Sequence, residues 1–200
     1  MAREIGDIAY ANNIEPIYVT ISDEEIKNWK YSDEIILERD VCRYTDMKYI
    51  IGIGNNAARS RLAKLYRRRL AFTNLFHPTT SFGNKQRDVL MSRQGLVLAA
   101  GVRFTSDITV GDFCIFNLNV TINHNVNIGS FVYFAPGAHI AGNIVIGSNC
   151  WIGMGAVINQ GMNDQKRLLH DGVTIGSGAV VTDDCDARSV YVGVPARKIK

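Results

Sequence analysis

Large apolar residues recur at every sixth position through the middle of the chain. Four positions after each of the first ten, the residue is again apolar or small. A six-residue repeat is typical of a parallel β-helix, in which each short strand buries its face only by stacking on the next coil. The pattern therefore predicts two inward positions in every six residues. The recurring large residues are Leu98, Phe104, Val110, Phe116, Ile122, Ile128, Phe134, Ile140, Ile146, Ile152 and Ile158.

A longer period is superimposed on this repeat. Val110-Gly111 recurs as Ile128-Gly129 and as Ile146-Gly147, at intervals of 18 residues. Three sides of six residues would close one coil of triangular cross-section, with a glycine where the chain turns tightly. Successive coils of such a solenoid stack about 4.8 Å apart.

The repeat is interrupted after Ile158. Residues 159–172 show no six-residue pattern, and it resumes at Ile175-Gly176, 29 positions after Ile146. We therefore expect an eleven-residue insertion within a loop over 159–172. Such a loop is either a solvated surface segment or a contributor to a substrate or cofactor site, because loops on a rigid scaffold often bind ligands.

The N-terminal part of the chain follows a different pattern. It predicts helices over 1–11 and 56–69, extended segments over 14–21 and 48–54, and a helix that begins at Ser22, where Glu25 would complete a capping box. Asn55 or Asn56 would cap the helix over 56–69. We expect a small α/β domain over 1–76, followed by the β-helix domain over 77–200.

The turn Gly-Ile-Gly-Asn-Asn, residues 52–56, joins a predicted strand to a predicted helix. Backbone N–H groups at such a turn converge on one point and suit a phosphate. Asn55 lies at this turn, and Arg59, one helical turn later, could pair with the phosphate. A plain tight turn and a solvated arginine explain the same residues.

Composition excludes some classes of function. The chain is 46% hydrophobic and 20% charged, with a net charge of +3, which favours a globular protein and names no nucleic-acid partner. It contains no apolar run of the roughly 20 residues that a membrane span needs, and no signal-peptide pattern. The four cysteines lack metal-ligand spacing, so we expect reduced structural thiols and a cytoplasmic protein.

His124 is the candidate for chemistry. The repeat directs it outward between Asn123 and Asn125, and a step of 18 residues places Ser106 below it and Gly142 above it. Glycine beside the imidazole would leave a shelf for a ligand and offer a backbone N–H to a developing oxyanion. Because histidine accepts a proton near neutral pH, this pair suits acyl transfer. An exposed histidine is otherwise an ordinary surface residue.

The other histidines fit structural or unassigned positions. We expect His77 to hold the junction between the two parts, and His139 to face outward on the wall of a coil. His170 falls in the predicted loop.

Three motifs resemble the hexapeptide-repeat acyltransferases with a left-handed β-helix, in particular the sugar acetyltransferases related to sialic acid O-acetyltransferase and bacillosamine-pathway N-acetyltransferase. They are L-F-H-P-T, N-H-N-V-N-I-G-S-F-V-Y-F-A-P-G-A-H-I-A-G-N-I-V-I-G and V-G-V-P-A-R-K-I-K. The resemblance implies a left-handed coil, homotrimers with active sites between neighbouring β-helices, and acetyl-CoA as the acyl donor. It also implies that the N-terminal domain holds a nucleotide-linked sugar.

The resemblance also implies roles for single residues. His124 would be the general base, and the N–H of Gly142 would bind the thioester carbonyl. Arg197 and Lys198 would pair with phosphates of coenzyme A. Substrate binding would fall to Asn55, Arg59 and Asn123, with no metal.

Two features depart from the family pattern. Relatives commonly have an acidic residue after the catalytic histidine, whereas this chain has Asn125. Asp107, one predicted coil below Asn125, is our hypothesis for the carboxylate that tunes the base. Relatives also begin with a strand and a glycine-rich loop ahead of the segment that here starts at Ala2, so we expect an N-terminally shortened, Rossmann-like domain.

The leading prediction is acetyl transfer from acetyl-CoA to the amino group of a nucleotide-linked amino sugar, for a bacterial surface polysaccharide or glycan. The alternatives are O-acetylation of a sugar of the sialic acid type, and a non-catalytic solenoid scaffold. Zinc-dependent carbonic anhydrase chemistry requires three converging histidines. The sequence opposes it, because even the two nearest histidines, His124 and His139, would lie on different sides of the coil.

Overall fold

The structure, a computed structural model, describes residues 1–162 and 165–200. The N-terminal part contains α1 (Ala2–Tyr10), β1 (Tyr18–Thr20), α2 (Asp23–Lys27), β2 (Ile35–Leu37), a 3₁₀ helix (Glu38–Arg43), β3 (Lys48–Tyr49), α3 (Asn56–Tyr66) and β4 (Ala71–Phe72). β1 pairs with β2 and β3 with β4, both in parallel, as two separate sheets. The predicted helices and strands are present, but these two pairs do not confirm a Rossmann-like sheet.

Two side chains start helices as the sequence predicts. Ser22 Oγ accepts the N–H of Glu25 at 3.1 Å, and Asn55 Oδ1 accepts the N–H of Ala58 at 2.9 Å. The second half of the capping box is not formed, because the Ser22 N–H donates to Thr20 Oγ1 at 3.1 Å instead. Asn55, not Asn56, is therefore the cap of α3.

Three parallel sheets follow, one for each side of the coil. The first side contains β5 (Leu75–Phe76), β7 (Val97–Leu98), β10 (Ile115–Phe116), β13 (Tyr133–Phe134), β16 (Trp151–Ile152), β19 (Thr174–Ile175) and β21 (Val190–Val192), with β22 (Arg197–Lys198) antiparallel at its end. The second side contains β6 (Ser81–Phe82), β8 (Arg103–Phe104), β11 (Thr121–Ile122), β14 (His139–Ile140), β17 (Val157–Ile158) and β20 (Val180–Val181). The third contains β9 (Thr109–Val110), β12 (Val126–Ile128), β15 (Ile144–Ile146) and β18 (Arg167–Leu169), and α4 (Gln86–Met91) precedes β7.

The predicted inward positions form the core of the β-helix. The eleven residues of the six-residue series are at most 5% exposed, and the ten residues four positions further on are at most 1% exposed. Strands of two or three residues cannot bury a face alone, so each coil is stabilised by its neighbours above and below. Fully burying one such side chain contributes about 1.5–3 kcal/mol.

The turns between the second and third sides, residues 105–107, 123–125, 141–143 and 159–161, form what we call the histidine corner. Asp107, Asn125 and Asn143 stack there with φ of 57°, 61° and 58°. Among residues with a side chain, asparagine and aspartate are the ones most enriched in this left-handed region. The backbone thus supplies a structural reason for asparagine at position 125.

The expected eleven-residue insertion is wrong. Ile144 pairs with Arg167, 23 positions on, whereas Val126 pairs with Ile144, 18 positions on, so the insertion has five residues. It spans 162–166, of which 163 and 164 lie outside the described residues. Residues 167–169 form β18, and Ile175 lies over Ile152 rather than over Ile146. The sequence concealed this because Leu169 fills the inward position without the glycine that follows Ile146.

The N-terminal part packs on the outer face of the first side. Ile5, Ile8 and Ala9 of α1 form one buried cluster with Ile115 and Tyr133. The β-helix begins at β5, two residues before the boundary expected from the sequence. Within the described residues, no helix has the length and apolar character to cross a membrane.

All four cysteines are free, and only Cys42 is exposed. Burial raises the pKa of the Cys114 and Cys185 thiols to about 12 and that of the Cys150 thiol to about 11. These three thiols are therefore protonated parts of the core.

Candidate active site

The imidazole of His124 lies directly against Gly142. A β-carbon placed on Gly142 would lie 2.5 Å from Cε1 and 2.7 Å from Nε2 of the ring. Ile122 and Val126 on either side are fully buried, which holds the intervening His124 outward. The stacking expected from the sequence is thus present, but the space left by the missing side chain is filled by the ring itself and is not an open shelf for a ligand.

Backbone hydrogen bonds align the coils at the histidine corner. The N–H of Asn125 donates to the Ser106 carbonyl at 3.1 Å, and the N–H of Asn143 donates to the His124 carbonyl at 3.1 Å. Within residues 1–162 and 165–200, the Gly142 N–H donates to no backbone carbonyl. Gly142 therefore combines a close contact to the ring with an N–H that is free to bind another oxygen.

Asn125 and Asp107 occupy the stacked positions that the sequence predicts for them. Neither side chain forms a hydrogen bond with the His124 ring within the part of the chain that the structure describes. A role for Asp107 in tuning the base stays a prediction. Asn123 is exposed beside His124, with its N–H bonded to the Ile140 carbonyl at 2.9 Å.

The remaining histidines have local roles or none. His139 is exposed on the second side, where Nδ1 lies 2.8 Å from Thr121 Oγ1. His77 Nδ1 lies 2.8 Å from Thr79 Oγ1 and accepts the Thr79 N–H at 3.1 Å, which stabilises the turn at the junction. His170 is exposed after β18. No group of three or more histidine, cysteine or acidic residues suited to a metal occurs among the described residues.

Arg59 is fully buried, contrary to its expected role as a phosphate ligand. Its Nε donates to the Phe113 carbonyl at 2.8 Å, Nη1 to the Ile53 and Gly54 carbonyls at 2.7 and 3.1 Å, and Nη2 to Asn56 Oδ1 at 2.8 Å and the Phe131 carbonyl at 3.0 Å. All five N–H groups of the guanidinium are occupied. Arg59 therefore ties the glycine turn to the β-helix and has no donor left for a phosphate.

Burial lowers the pKa of Arg59 to about 10, so the side chain is still a cation at neutral pH. Asn56 reinforces the same junction, since its Nδ2 donates to the Cys150 carbonyl at 2.9 Å. The reversal of role arises from tertiary contacts, because the side of α3 that carries Arg59 packs on the β-helix.

A groove of 460 Å³ lies where the start of α3 meets the first side, and it was not foreseen from the sequence. It is lined by Asn55, Asn56, Ala57, Asn149, Trp151 and Thr174. Trp151 is 36% exposed and stacks on Tyr133 with ring centroids 4.2 Å apart. The available signal was an aromatic residue at an outward position, one coil after another aromatic residue.

A second cavity of 200 Å³ lies between α1 and the first side, bordered by Glu4, His77 and Asn117. Asn117 Nδ2 donates to the Tyr133 hydroxyl at 3.1 Å. Tyr133 thus borders both the helix-covered and the open part of the first side. The sequence did not single out this cavity either, since its walls come from distant segments.

Arg197 and Lys198 lie on β22 at the far end of the solenoid. Arg197 is 3.6 Å from Asp183, and Lys198 donates to Asp186 at 3.0 Å. The hydrogen bond with Asp186 raises the pKa of Lys198 and lowers that of Asp186. Four coil steps, about 19 Å at the ordinary strand spacing, separate β22 from the coil of His124. The structure does not bring these residues together with His124.

No protein-family model and no curated protein matches the chain. Solved structures with the same fold include the acetyltransferase domain of PglB from Neisseria gonorrhoeae FA1090, with 23% identity over 98% of this chain and 94% of that chain and a TM-score of 0.81. They also include WeeI from Acinetobacter baumannii AYE, with 25% identity over 99% and 92% and a TM-score of 0.79.

A further similar structure is perosamine N-acetyltransferase from Caulobacter crescentus in complex with CoA and GDP-perosamine, with 18% identity over 100% and 92% and a TM-score of 0.85. These neighbours are left-handed β-helix acetyltransferases, and the similarity extends over the whole chain. The parallel β-helix expected from the sequence is confirmed as the fold.

Proposed function

We propose that the chain is an acetyl-CoA-dependent acetyltransferase that acts on the amino group of a nucleotide-linked amino sugar, for a bacterial surface polysaccharide or glycan. The observation that supports this best is the contact of the His124 ring with Gly142 at the histidine corner. It places a general base beside an unpaired backbone N–H, in a fold shared with a structure that holds CoA and GDP-perosamine.

The proposed chemistry uses both groups in one transfer. His124 takes a proton from the acceptor nitrogen as that nitrogen bonds to the thioester carbonyl carbon, a contribution of about 10²–10⁴-fold. The Gly142 N–H donates to the carbonyl oxygen, on which negative charge develops, and removing one such donor typically costs about 10²–10³-fold. The carbon–sulfur bond then breaks, and the imidazolium returns its proton to the leaving sulfur.

The donor's phosphates would pair with Arg197 and Lys198. The carboxylates that contact these residues in the structure are exposed, and exposed ion pairs contribute only about 0–1 kcal/mol. Exchanging them for phosphate contacts would therefore cost little. The distance between β22 and His124 suits a long donor that lies along the coils.

We further propose that the groove beside Asn55 receives the nucleotide of the acceptor. The free face of Trp151 offers a stacking surface for a flat ring, and the first N–H groups of α3 favour a phosphate. Arg59 would hold the glycine turn in shape without touching the ligand. Asn123, exposed next to His124, would contact the sugar.

This arrangement favours a homotrimer. In a triangular coil the first side lies opposite the histidine corner, so one acceptor cannot contact both the groove and His124 of the same chain. An active site shared between neighbouring copies resolves this. Light scattering is expected to give three times the chain mass of 22.2 kDa. The free cysteines support a cytoplasmic location.

The test is release of free thiol from acetyl-CoA by the purified protein, measured with a panel of nucleotide-linked amino sugars and with sialic acid. Turnover with an amino sugar that is lost in His124→Asn is the expected result. Turnover only with sialic acid would favour O-acetylation, because a hydroxyl is then the acceptor. Turnover with no sugar would contradict both enzymatic functions and favour a scaffold.

A further inference from the structure

A charged residue, Arg167, occupies an inward position of the β-helix. β18 places it over Ile144, which lies over Val126. The other residues in this series of positions, from Val102 to Ala179, are apolar or small and at most 1% exposed. A residue that breaks an otherwise consistent pattern often marks a functional or strained site.

The guanidinium of Arg167 closes the base of the five-residue insertion. Its Nε donates to the Asn159 carbonyl at 2.8 Å and its Nη2 to the Gln160 carbonyl at 3.1 Å. These carbonyls belong to the last residues before the chain leaves the coil, and Arg167 is the first residue after its return. One side chain therefore holds the departing and returning strands together.

The base of the insertion is bonded directly to the histidine corner. The N–H of Gly161 donates to the Gly142 carbonyl at 3.1 Å, and the N–H of Arg167 donates to the Asn143 carbonyl at 3.0 Å. A β-carbon on Gly161 would lie 2.1 Å from the Asn143 carbonyl oxygen, which shows how closely the segments pack. The N–H of Asn143 in turn donates to the His124 carbonyl at 3.1 Å.

We propose that Arg167 is a positioning residue for the histidine corner. By fixing Asn159 and Gln160 it holds Gly161 against Gly142, and so sets both the surface on which the imidazole rests and the direction of the Gly142 N–H. The catalytic consequence rests on the proposed function, whereas the effect on His124 does not. Lysine would replace this contact only in part, because the two carbonyls match the planar donor fork of a guanidinium.

The kinetic test compares Arg167→Met and Arg167→Lys with Arg93→Met, a control at an exposed arginine. Methionine restores an apolar side chain at the inward position, so the thermal midpoint is expected to stay or rise while both guanidinium bonds are lost. We expect kcat to fall at least tenfold in Arg167→Met with the KM for acetyl-CoA unchanged, and to recover partly in Arg167→Lys. A folded Arg167→Met with wild-type kcat would overturn the proposal.

A second measurement does not depend on activity. Protein labelled with ¹³C at histidine Cε1 gives four ring signals, and His124→Asn identifies one of them. The His124 signal and its titration midpoint are expected to move in Arg167→Met, with the His139 signal in place and no change in Arg93→Met. Wild-type protein that releases no thiol, together with a moved His124 signal, would contradict the proposed function and support the positioning role. An unmoved His124 signal would overturn that role whatever the activity.

Discussion

Replacing Gly142 with alanine places a methyl group where the His124 ring lies. The new β-carbon would be 2.5 Å from Cε1, whereas ordinary contacts begin at 3.4 Å, so the ring must move by about 0.9 Å. Gly142 is not among the positive-φ glycines, so alanine adopts its backbone conformation without strain. The perturbation is therefore confined to the contact between the ring and the methyl group.

A catalytic group misplaced by about 1 Å can cost about 10²-fold in rate. We expect Gly142→Ala to lower kcat/KM by about this factor, equivalent to about 2.7 kcal/mol of transition-state stabilisation. The assay is thiol release from acetyl-CoA at fixed acceptor concentration, with thermal unfolding measured in parallel. Stability should change little, since an off-rotamer side chain costs only about 0.5–1.5 kcal/mol.

The matched control is the same substitution in a His124→Ala background. With no ring to displace, Gly142→Ala should be neutral or slightly stabilising there, and the two backgrounds should differ by the rotamer cost alone. Wild-type kcat/KM in a folded Gly142→Ala protein, or equal stability changes in both backgrounds, would refute the reasoning.

Four other outcomes are expected. Arg59→Lys should lower the free energy of unfolding in urea by about 3 kcal/mol or more, because several buried carbonyls lose their donor, whereas exposed Arg61→Lys should change it little. Asp107→Asn should lower kcat and shift the acid limb of its pH profile; an unchanged profile would remove Asp107 from the mechanism. At pH 8 a disulfide reagent should modify only Cys42 in the folded protein, because burial raises the pKa of the other three thiols to about 11–12 and keeps them protonated; rapid reaction of all four would contradict the buried core. Lys198→Ala should raise the KM for acetyl-CoA with kcat unchanged and with a weaker dependence on salt; an unchanged KM would exclude its contact with phosphate.

The candidate site was predictable where the repeat is regular. Counting one coil along the sequence was enough to place Gly142 next to His124, because parallel strands pair position by position. The same count failed beyond Ile158, where five extra residues shift every later pairing. An inward position held by Arg167 could not be identified until the true register was known.

Arg59 and Trp151 show a different limit. Both lie at the junction between the N-terminal part and the first side, and the partners of Arg59 are up to 73 residues away. No period relates such residues. Whether an arginine faces solvent or five buried acceptors depends on which face of its helix packs on the β-helix.

The sequence by itself determined the β-helix, its inward residues and the outward position of His124. These follow from a short period, since each strand is too small to be stable alone and the residue types at inward positions must repeat in every coil. Only the tertiary structure decided that the imidazole fills the space above Gly142, that Arg59 is buried, and that Arg167 closes an insertion at the same corner. Those contacts join segments with no common period, and their energies depend on which groups lose water when the segments pack.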